Sequence, residues 1–543
     1  MSSKEYKWLP HLENSIPDAA RGYTSSLYAI ALEGWRRGLN LKFIKSKRNK
    51  SNSVFELSNN EKSHRFVATR GDLITRDAVR ICRDKAEAKK YLMKANVPTP
   101  RGKEFPKESK ESEIIEYAKQ NGYPLVVKPI DGTGGRGVIA GIQDENELKE
   151  ALSYIKGELG YRHLLVEEYF PGDDYRVYVV GDEVVAITKR IPANVLGDGK
   201  STVRELINRK NKQRNKSPIL NSSPIRIDSE LKNMLKQQGL ELDSVPEQGK
   251  HIVLKSKNNI SAGGDPVDIT DEISDKIKNI AISGLKAIPN MPHGALDLMV
   301  NTEKDEAVII EINSQASIRT HLFPMKGTAR DVPKKIVDYY FPNTKSKPDV
   351  PLYFDFGRIW SEFRKGTADE ITLPNIPKGK LTLTRFIVKG RVQRVGYGAW
   401  IRRMARDLNI HGFIRHLRNG TSSVVVCGNK ESVEKFRKII TTDNSKDSKV
   451  ISVVEKSRKT PVPIGFEIKN VKRDKRVKDG YFPVRLMDPA SKTNIKNKQS
   501  RRKKSTKRKS TTDYRKEYYK LKESTSWRVT KPLRKIGKLL KSR

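Results

Sequence analysis

The stretch from Leu125 to Val138, LVVKPIDGTGGRGV, decides the fold more than any other part of this chain. A short apolar run, typical of a buried strand, ends at Lys128 and is followed by a glycine-rich loop. Glycine lets backbone amides approach phosphate oxygens, and a lysine adds a point charge for the same oxygens. Glycine-rich turns also have many structural causes, so a phosphate-binding loop and a plain hairpin both stay open. The loop glycines are Gly132, Gly134, Gly135 and Gly137.

Helical and strand patterns alternate on both sides of this stretch. The segment DKAEAKKYLMKAN has helical spacing, while YPLVVKPI, HLLVEEYF and DYRVYVVGDEVVAIT read as short apolar strands. Near the amino terminus, SSLYAIALEGWRRGL has a helical pattern that favours core packing over a cofactor site. These patterns predict a layered fold of helices and strands, of the α+β or α/β type, for the first part of the chain.

Acidic residues follow a second predicted strand, in LVEEYFPGDDYRV. Glu167 and Glu168 are adjacent, and Asp174 comes just after Pro171 and Gly172. Such carboxylates could bind the adenine amine and the ribose hydroxyls of a nucleotide. Taken alone, the pattern is better explained as a solvated strand end with ordinary charges.

A third polar set lies within apolar strands, in ALDLMV and VIIEINSQASIRTH. Asp297 and Glu311 would be costly to bury unpaired, and Asn313 lies on the same strand face as Glu311. Two carboxylates and an amide oxygen suit Mg²⁺, which prefers oxygen ligands and bridges to substrate phosphates. Pairing of the acids with Lys or Arg is the structural alternative, and it is weakened because all three polar sets occur in one order in one region.

Together these segments resemble the ATP-grasp superfamily over about residues 80 to 342. Lys85, KPIDGTGGRG, VEEYFPGDDYRV, KRIPANVLGDGKSTVRELINRKN and EINSQASIRTHLFPMKGTARDV form the resemblance. Within the superfamily, the chain is most similar to the ATP-grasp parts of cyanophycin synthetase and bifunctional glutathione synthetase, and NNISAGGDPVDITDEI strengthens that likeness.

The resemblance implies roles for particular residues. Lys85 and Lys128 would contact ATP phosphates under the glycine loop, while Glu167, with its neighbour Glu168, and Asp174 would hold adenine and ribose. Two Mg²⁺ (or Mn²⁺) ions would bind the third polar set, which is Asp297, Glu311 and Asn313. Arg190 and Lys255 would stabilise the transferring phosphoryl group. The family chemistry is formation of an acylphosphate on a carboxylate, followed by attack of an amine.

Two departures limit what the resemblance implies. The chain lacks the Mur-ligase-like domain of cyanophycin synthetase and the γ-glutamylcysteine synthetase region of the bifunctional enzyme, so neither named reaction transfers. Lys255 stands where those relatives tend to have arginine, which leaves its role open.

The region from Leu381 to about Val471 has the strand and helix order βαββαβ of a ferredoxin-like domain. GRVQRVGYGAW and HGFIRHLRNG resemble acylphosphatase, whose first loop cradles phosphate while an arginine and an asparagine act in catalysis. Gly398 stands at the arginine position and His416 at the asparagine position. Arg394 could swing into the cradle or obstruct it. A degenerate, catalytically inactive domain is therefore the favoured interpretation.

Charge is concentrated in the last residues. The whole chain has 108 Lys+Arg and 64 Asp+Glu, for a net charge of +44, and 27 of these cations with 6 acids lie in residues 471–543. A run such as RRKKSTKRKS cannot bury enough apolar surface to order the chain, which predicts a disordered tail. The tail could bind an anionic polymer, RNA or an anionic membrane surface, and a nonspecific solvated tail is slightly favoured.

The expected organisation is an α+β chain of five parts. We expect a pre-ATP-grasp segment at 1–80, an ATP-grasp domain at 81–342, a linker at 343–380, an acylphosphatase-like domain at 381–471 and a basic tail at 472–543. The linker would contain one ordered piece around Phe354 to Phe363, after a helix in KKIVDYYF. No apolar run is long enough for an integral membrane segment, and only Cys82 and Cys427 are present, so a reducing, cytoplasmic location is expected, with peripheral membrane contact left open.

The sequence therefore favours an ATP- and Mg²⁺-dependent ligase that joins a small-molecule or peptide carboxylate to an amine. The alternative is an acylphosphatase that the ATP-grasp part regulates. A third interpretation is a scaffold that binds an anionic polymer. The sequence does not identify the acid, the amine or the oligomeric state.

Overall fold

The computed structural model describes residues 6–46, 54–130, 132, 136–442 and 447–469. The predicted basic tail and the loop glycines Gly134 and Gly135 lie outside these ranges. Within them, helices and strands are mixed along the chain, which confirms the α+β class. No helix in the described ranges combines the length and apolar composition that crossing a membrane requires.

The amino-terminal region packs one buried helix against a small sheet. Every residue of the helix Ser25–Arg37 is buried, as the apolar spacing of SSLYAIALEGWRRGL predicts. Trp35 and Tyr28 fill its core side, and Gly38 ends it in the left-handed conformation. In order across the sheet, the strands are Glu370–Thr372, Asn40–Ile44, Val54–Ser58, Ser63–Val67 and Arg70–Gly71. The short helix Pro10–Glu13 and the strand Tyr6–Lys7, which pairs with Gly327–Thr328, precede it.

Next comes a four-stranded antiparallel sheet that includes the glycine-loop strand. Helices cover this sheet and bury Ile114, Leu148 and Leu152 against it. In spatial order, its strands are Gly102–Phe105, Leu164–Glu168, Leu125–Pro129 and Ile139–Ile142. Its helices are Glu111–Asn121 and Glu145–Leu152, the latter continuing as the π-helix Ser153–Glu158.

A five-stranded antiparallel sheet forms the other half of this region. Its alternating apolar residues, including Val177, Leu296 and Ile309, pack against helices that cover one face. In spatial order, its strands are Asp265–Asp268, Glu183–Ile191, Asp173–Val180, His293–Asn301 and Glu306–Asn313. The helices associated with this region are Arg76–Arg83, Lys85–Lys94, Asp275–Lys286, Arg319–Leu322 and Val332–Tyr340.

An insertion between two of these strands forms its own small core. Val195, Leu206 and Ile252 are among the residues that it buries. The first helix begins with a capping box in which Thr202 accepts from the backbone of Glu205. The elements of the insertion are the strands Asn194–Leu196 and His251–Val253 and the helices Val203–Arg214 and Ser229–Gln237.

Residues 343–380, which we expected to be a linker, are packed on both sides. The strand Leu352–Tyr353 pairs with Val462–Pro463, and the strand Glu370–Thr372 pairs with Asn40–Ile44. The helix Phe356–Lys365 lies between them. Aromatic side chains explain the difference, because Phe354, Phe356 and Phe363 are buried in the core of the amino-terminal region.

The carboxyl-terminal region has the predicted βαββαβ order. Its sheet order places the fourth strand beside the first and the third between the first and second, as in a ferredoxin-like fold, and one further strand extends the edge. The elements are Leu381–Arg391, Tyr397–Asp407, His411–His416, Ser422–Asn429, Lys430–Thr442, Lys449–Ser457 and the edge strand Phe466–Lys469.

Candidate active site

A narrow cleft lies between the four-stranded sheet and the five-stranded sheet. The helix Lys85–Lys94 and the strands of the four-stranded sheet line one side, and the strand Glu306–Asn313 lines the other. The segments that the sequence singled out separately therefore meet at one place. Polar residues on the cleft are Lys85, Lys89, Lys128, Thr99, Glu167 and Glu311.

Glu167 lies between two lysines in this cleft. Its Oε2 is 2.5 Å from Lys128 Nζ, and its Oε1 accepts from Lys89 Nζ. All three side chains are buried, at 4%, 7% and 7% exposure for Glu167, Lys128 and Lys89. Burial lowers the pKa of Lys89, and the charge of Glu167 opposes that shift. The cluster has one more cation than anions, which favours an anionic ligand.

Lys85 reaches the start of the glycine loop. Its Nζ donates to the carbonyl oxygens of Ile130 (3.2 Å) and Gly132 (2.9 Å). Gly137 has φ +77°, and a Cβ there would lie 2.8 Å from Pro129 Cγ, so only glycine fits without rearrangement. The lysine and the described ends of the loop are thus in contact.

A row of polar residues crosses the five-stranded sheet. Each residue stands directly opposite the next on the neighbouring strand, so all of them point to one face. In order, they are Asp268, Thr188, Arg176, Asp297 and Glu311. The register of the sheet, more than the sequence spacing, brings Asp297 and Glu311 together.

Asp297 accepts from two arginines. Arg176 binds it with both arms of its guanidinium, at 2.8 Å from Nε to Oδ1 and 2.9 Å from Nη2 to Oδ2. Arg190 Nη2 lies 3.1 Å from Asp297 Oδ2, and Arg190 Nε donates to Asp174 at 2.9 Å. Arg190 therefore bridges two of the acids that the sequence assigned to different roles.

The charges in this group oppose the effect of burial on one another. Burial alone would raise the pKa of Asp297, but Arg176 and Arg190 lower it to about 2. Burial raises the pKa of Asp174 despite Arg190 beside it. Burial lowers the pKa of Arg190, but the charges of Asp297 and Asp174 outweigh burial, so the pKa is raised overall. Arg190 consequently stays cationic at any physiological pH.

The oxygen set that we expected to bind metal is partly available. The carboxylate of Glu311 makes no hydrogen bond or ion pair to another described residue, and Glu311 stands opposite Asp297 in the strand pair. Asn313 lies two residues further along the same strand, opposite Ala295. Within the described ranges, no point is surrounded by three His, Cys, Asp or Glu side chains. The donors fit a hard cation that also binds ligand phosphates, because carboxylate and amide oxygens are the groups it prefers.

Three predicted residues have charged groups of the protein beside them. Lys255 lies 2.5 Å from Asp228 Oδ1 and 3.1 Å from Glu230 Oε2, and no ion pair joins it to the described acids of the cleft. The side chain of Glu168 is 41% exposed and lies 3.7 Å from Arg101. Glu167, expected to bind the nucleotide base or sugar, is occupied by its two lysines.

The carboxyl-terminal region has its own candidate phosphate loop. Gln393 Nε2 donates to the carbonyls of Leu417 and Thr421, each at 2.8 Å, and ties the loop to the neighbouring hairpin. Arg394 (φ 61°) and Gly396 (φ 71°) are both left-handed, and the helix Tyr397–Asp407 begins next. The loop thus has two left-handed residues, one of which is the arginine at a position where the resemblance implies glycine.

Gly398 and His416 lie side by side next to this loop. A Cβ on Gly398 would lie 3.5 Å from His416 Nε2, which is ordinary van der Waals contact. His416 Nδ1 is 2.7 Å from Ser422 Oγ, and burial lowers the pKa of this histidine. No cation occupies either position, so the loop lacks a side-chain charge at the place where the resemblance implies one.

Sequence reasoning missed three residues near the first site. Lys89 follows Lys85 by four residues on one helix, so the same face was available as a signal. Arg176 follows Asp174 by two residues on one strand, which also indicates a shared face. Arg319 is 6% exposed and stacks its guanidinium 4.1 Å from the Tyr23 ring centroid, and no pattern in the sequence predicts that contact.

Two family models match the chain. Residues 82–205 match the RimK-like ATP-grasp domain, and residues 384–468 match acylphosphatase. Both matches confirm the resemblances that the motifs predict. The first ends within the insertion, so it includes the lysine cluster, Asp174 and Arg190 but not Asp297 or Glu311.

Curated relatives resemble the same region. A cyanophycin synthetase from a Nostoc species is 33% identical over 341 residues, covering 61% of this chain and 36% of that protein. The glutathione biosynthesis bifunctional protein GshAB of Clostridium perfringens is 33% identical over 273 residues, 48% of this chain and 34% of that protein. A solved bifunctional glutathione synthetase from Pasteurella multocida aligns with 25% identity and a TM-score of 0.44, over 55% of this chain and 42% of that one. The chain thus spans about a third of the length of these two curated relatives.

Proposed function

We propose that this chain, in which a RimK-like ATP-grasp domain precedes an acylphosphatase domain, is an ATP- and Mg²⁺-dependent carboxylate–amine ligase. One observation supports this most: Lys85, Lys89, Lys128, Glu167 and Glu311 line one cleft between two sheets. A cleft with more cations than acids on one wall and the carboxylate of Glu311 on the other suits the phosphates and the metal ion of a nucleotide triphosphate.

The lysines would bind the phosphates. Lys128 and Lys89 are held by Glu167, so their ammonium groups are fixed before ligand arrives. Lys85 is anchored on two carbonyl oxygens at the beginning of the glycine loop. Fixed charges stabilise a developing anion more than mobile ones, because they need no reorganisation during the reaction.

When bound, Mg²⁺–ATP supplies the γ-phosphoryl group that converts a substrate carboxylate into an acylphosphate, whose carbonyl carbon an amine then attacks with loss of phosphate. Asp297, Glu311 and Asn313 would hold Mg²⁺ or Mn²⁺. Arg190, kept cationic by Asp174 and Asp297, would stabilise charge on the transferring group. Lys255, surrounded by Asp228 and Glu230, would act only if ligand drew it away from those acids.

The test uses the full chain with ATP, Mg²⁺ and pooled amino acids, dipeptides and cell-envelope precursors. Phosphate release reports turnover, and hydroxylamine added in place of the amine traps an acylphosphate as a hydroxamate. Glu311→Gln should lower both signals at least about 100-fold, because it removes a charge from the proposed metal site. Glu306→Gln, an exposed change on the same strand, should leave them unchanged.

The result that overturns the proposal is a chain that binds no ATP in the presence of Mg²⁺. Equal activity of Glu311→Gln and Glu306→Gln would contradict the proposed metal site but not the proposed binding of ATP.

The acylphosphatase match favours a second candidate, hydrolysis of acylphosphates by residues 384–468. The loop geometry supports it, whereas Gly398 and His416 do not. Turnover of benzoyl phosphate that disappears in Arg394→Ala would support this candidate. Substrates for either activity would be small molecules or peptides.

A further inference from the structure

A larger cleft opens beside the lysine cluster. Its volume is about 780 Å³, within the range of sites that bind small molecules. The strands Ser63–Val67 and Arg70–Gly71, the helix Arg76–Arg83 and Ile130 line it. We name it the arginine cleft after five lining residues, which are Arg65, Arg70, Arg76, Arg80 and Arg83.

Three of these arginines have no acidic partner among the described residues. Arg65 lies 3.2 Å from Glu56, and Arg80 lies 2.6 Å from Glu87, so their charges are balanced. Arg70, Arg76 and Arg83 make no ion pair in the described part of the chain. Arg70 and Arg83 line the same cleft. Burial lowers the pKa of Arg70, and the like charge of Arg83 lowers it further.

The two acids of the cleft are engaged elsewhere. Asp72 Oδ1 lies 2.9 Å from His64 Nδ1, and its Oδ2 accepts from the backbone of Arg65. Asp84 caps the helix Lys85–Lys94 by accepting from two backbone amides. Neither carboxylate pairs with the three free guanidinium groups, so the described lining of the arginine cleft has an excess of positive charge.

The type of cationic residue limits the chemical class of ligand that the cleft would bind. All five cations are arginine, and none is lysine. A planar guanidinium binds carboxylate or phosphate through two parallel hydrogen bonds, which a lysine cannot do. Three such groups around one cleft suit a molecule with several oxyanions.

The arginine cleft adjoins the proposed phosphate site. Ile130 lines it, and the carbonyl of Ile130 accepts from Lys85 Nζ. Asp84, another lining residue, directly precedes Lys85 in the chain. A ligand in the arginine cleft would therefore lie next to the residues that would bind the nucleotide phosphates.

We propose that the arginine cleft binds the acid substrate of the ligase through two or more oxyanions that do not react, so that this substrate is a small polyanion. Carboxylate and phosphate groups share the required chemistry. That the ligand is a substrate rests on the proposed function. Binding of a polyanion in the cleft does not depend on turnover.

Calorimetric titration of the full chain tests the proposal without requiring activity. The probes are triglutamate, fructose bisphosphate and neutral triglutamine, each at low ionic strength. We expect triglutamate or the bisphosphate to bind and triglutamine not to bind, and the stronger of the two anions identifies carboxylate or phosphate as the preferred group. Arg70→Gln with Arg83→Gln should weaken that binding at least tenfold.

The matched control is Arg403→Gln with Arg406→Gln, the same charge change on exposed positions of a helix in the carboxyl-terminal region. It should change the affinity less than twofold. Arg76→Gln, a single exposed change in the cleft, should weaken binding about threefold and serves if the double variant does not fold. Equal effects of the cleft and control variants, or no anion binding at all, would overturn the inference.

The same titration separates this inference from the proposed function. The chain could bind the anions, and keep this binding in Glu311→Gln, yet show no ATP-dependent turnover. That result would support anion binding in the arginine cleft and count against the proposed ligase activity. Turnover that Arg70→Gln with Arg83→Gln leaves unchanged for every acid substrate would count against the cleft alone.

Discussion

The two regions with phosphate-loop resemblances differ in what surrounds the loop. At the amino-terminal site, two lysines and two arginines pair with acids that fix them in place, and Lys85 donates to two carbonyl oxygens. At the carboxyl-terminal site, the loop keeps two left-handed residues and its ties to the hairpin, but Gly398 and His416 provide no fixed cation. The two loops therefore differ in the fixed charge around them, which is the basis for interpreting the carboxyl-terminal domain as degenerate.

The difference also concerns burial. Glu167, Lys89 and Lys128 are each less than 10% exposed, so their electrostatic interactions act in a low-dielectric setting. Placing such charges inside is costly unless each has a partner, and here each one has. An organised set of buried charges is evidence for a working site, whereas a loop conformation alone is not.

The largest expected effect comes from breaking the amino-terminal cluster. Lys128→Met should lower ATP-dependent phosphate release by about 100-fold or more, because a preorganised charge on the phosphates is lost. Lys119→Met, on an exposed helix position, is the control and should have little effect. Steady-state kinetics of the two variants provides the measurement. Equal rates in both would mean that the cleft does not bind the nucleotide phosphates.

The second prediction tries to remove the difference between the two sites. Gly398→Arg with His416→Asn restores the two side-chain types that the acylphosphatase resemblance implies. The added Cβ has room at 3.5 Å from its nearest neighbours, so the backbone need not move. We expect hydrolysis of benzoyl phosphate to rise about tenfold or more.

The matched comparison is the single variant His416→Asn, which restores no charge and should give a much smaller increase. A wild-type chain that already hydrolyses benzoyl phosphate as fast as the double variant would contradict the interpretation of this domain as degenerate.

The last prediction concerns stability, not activity, as the pH falls. Burial lowers the pKa of His293 to about 4, and burial with the nearby charge of Arg176 lowers that of His321 to about 3. Burial also lowers the pKa of His411 to about 4. Since the unfolded chain binds these protons near pH 6.5 and the folded chain does not, stability present above pH 6.5 is lost as the pH falls below it. Between pH 6.5 and the pKa of the folded state, each histidine lowers the free energy of unfolding by about 1.4 kcal/mol per pH unit.

Urea unfolding between pH 7 and pH 5 measures this loss. His411→Asn should flatten the pH dependence of the carboxyl-terminal region, whereas His251→Asn, at an exposed position, should not. A midpoint that stays constant from pH 7 to pH 5 in the unsubstituted chain would show that the buried histidines take up protons without unfolding.

Much of the fold follows from sequence patterns of short range. Alternating apolar residues predict the strands around Lys128 and Glu167, and helical spacing predicts the helix that begins at Lys85. The same kinds of pattern predict the βαββαβ order of the carboxyl-terminal region. Motif order along the chain then predicts both family resemblances, because several segments must agree at once.

Contacts across the sheets could not be predicted in the same way. The pairing of Asp297 with Arg176 depends on which residues stand opposite each other, and register between distant strands is not visible in one sequence. The same limit hid Lys89 as a partner of Glu167 and the acids around Lys255. Roles that we assigned to Glu167, Lys255 and Asp174 from motifs stay predictions for mutagenesis.

Residues 343–380 show how composition can mislead. Proline and lysine there indicate a linker with one ordered piece around Phe354 to Phe363. Strand pairing at Leu352–Tyr353 and Glu370–Thr372, together with a few buried aromatic side chains, orders more of the segment than that. Tyr28 donates to the carbonyl of Phe354, and Trp35 donates to that of Pro374, so the amino-terminal helix holds both ends of the segment. A small number of apolar anchors outweighs the average composition.

The pairing of Glu370–Thr372 with Asn40–Ile44 has a consequence for synthesis of the chain. The earlier strand leaves the ribosome about 330 residues before its partner, a delay of roughly 15 to 65 s at about 5–20 residues per second. During that time its outer edge, with Leu41 and Phe43, has no neighbour from the later strand, and an open strand edge invites pairing with other chains. Nascent protein is therefore vulnerable to aggregation at this edge until translation passes residue 372.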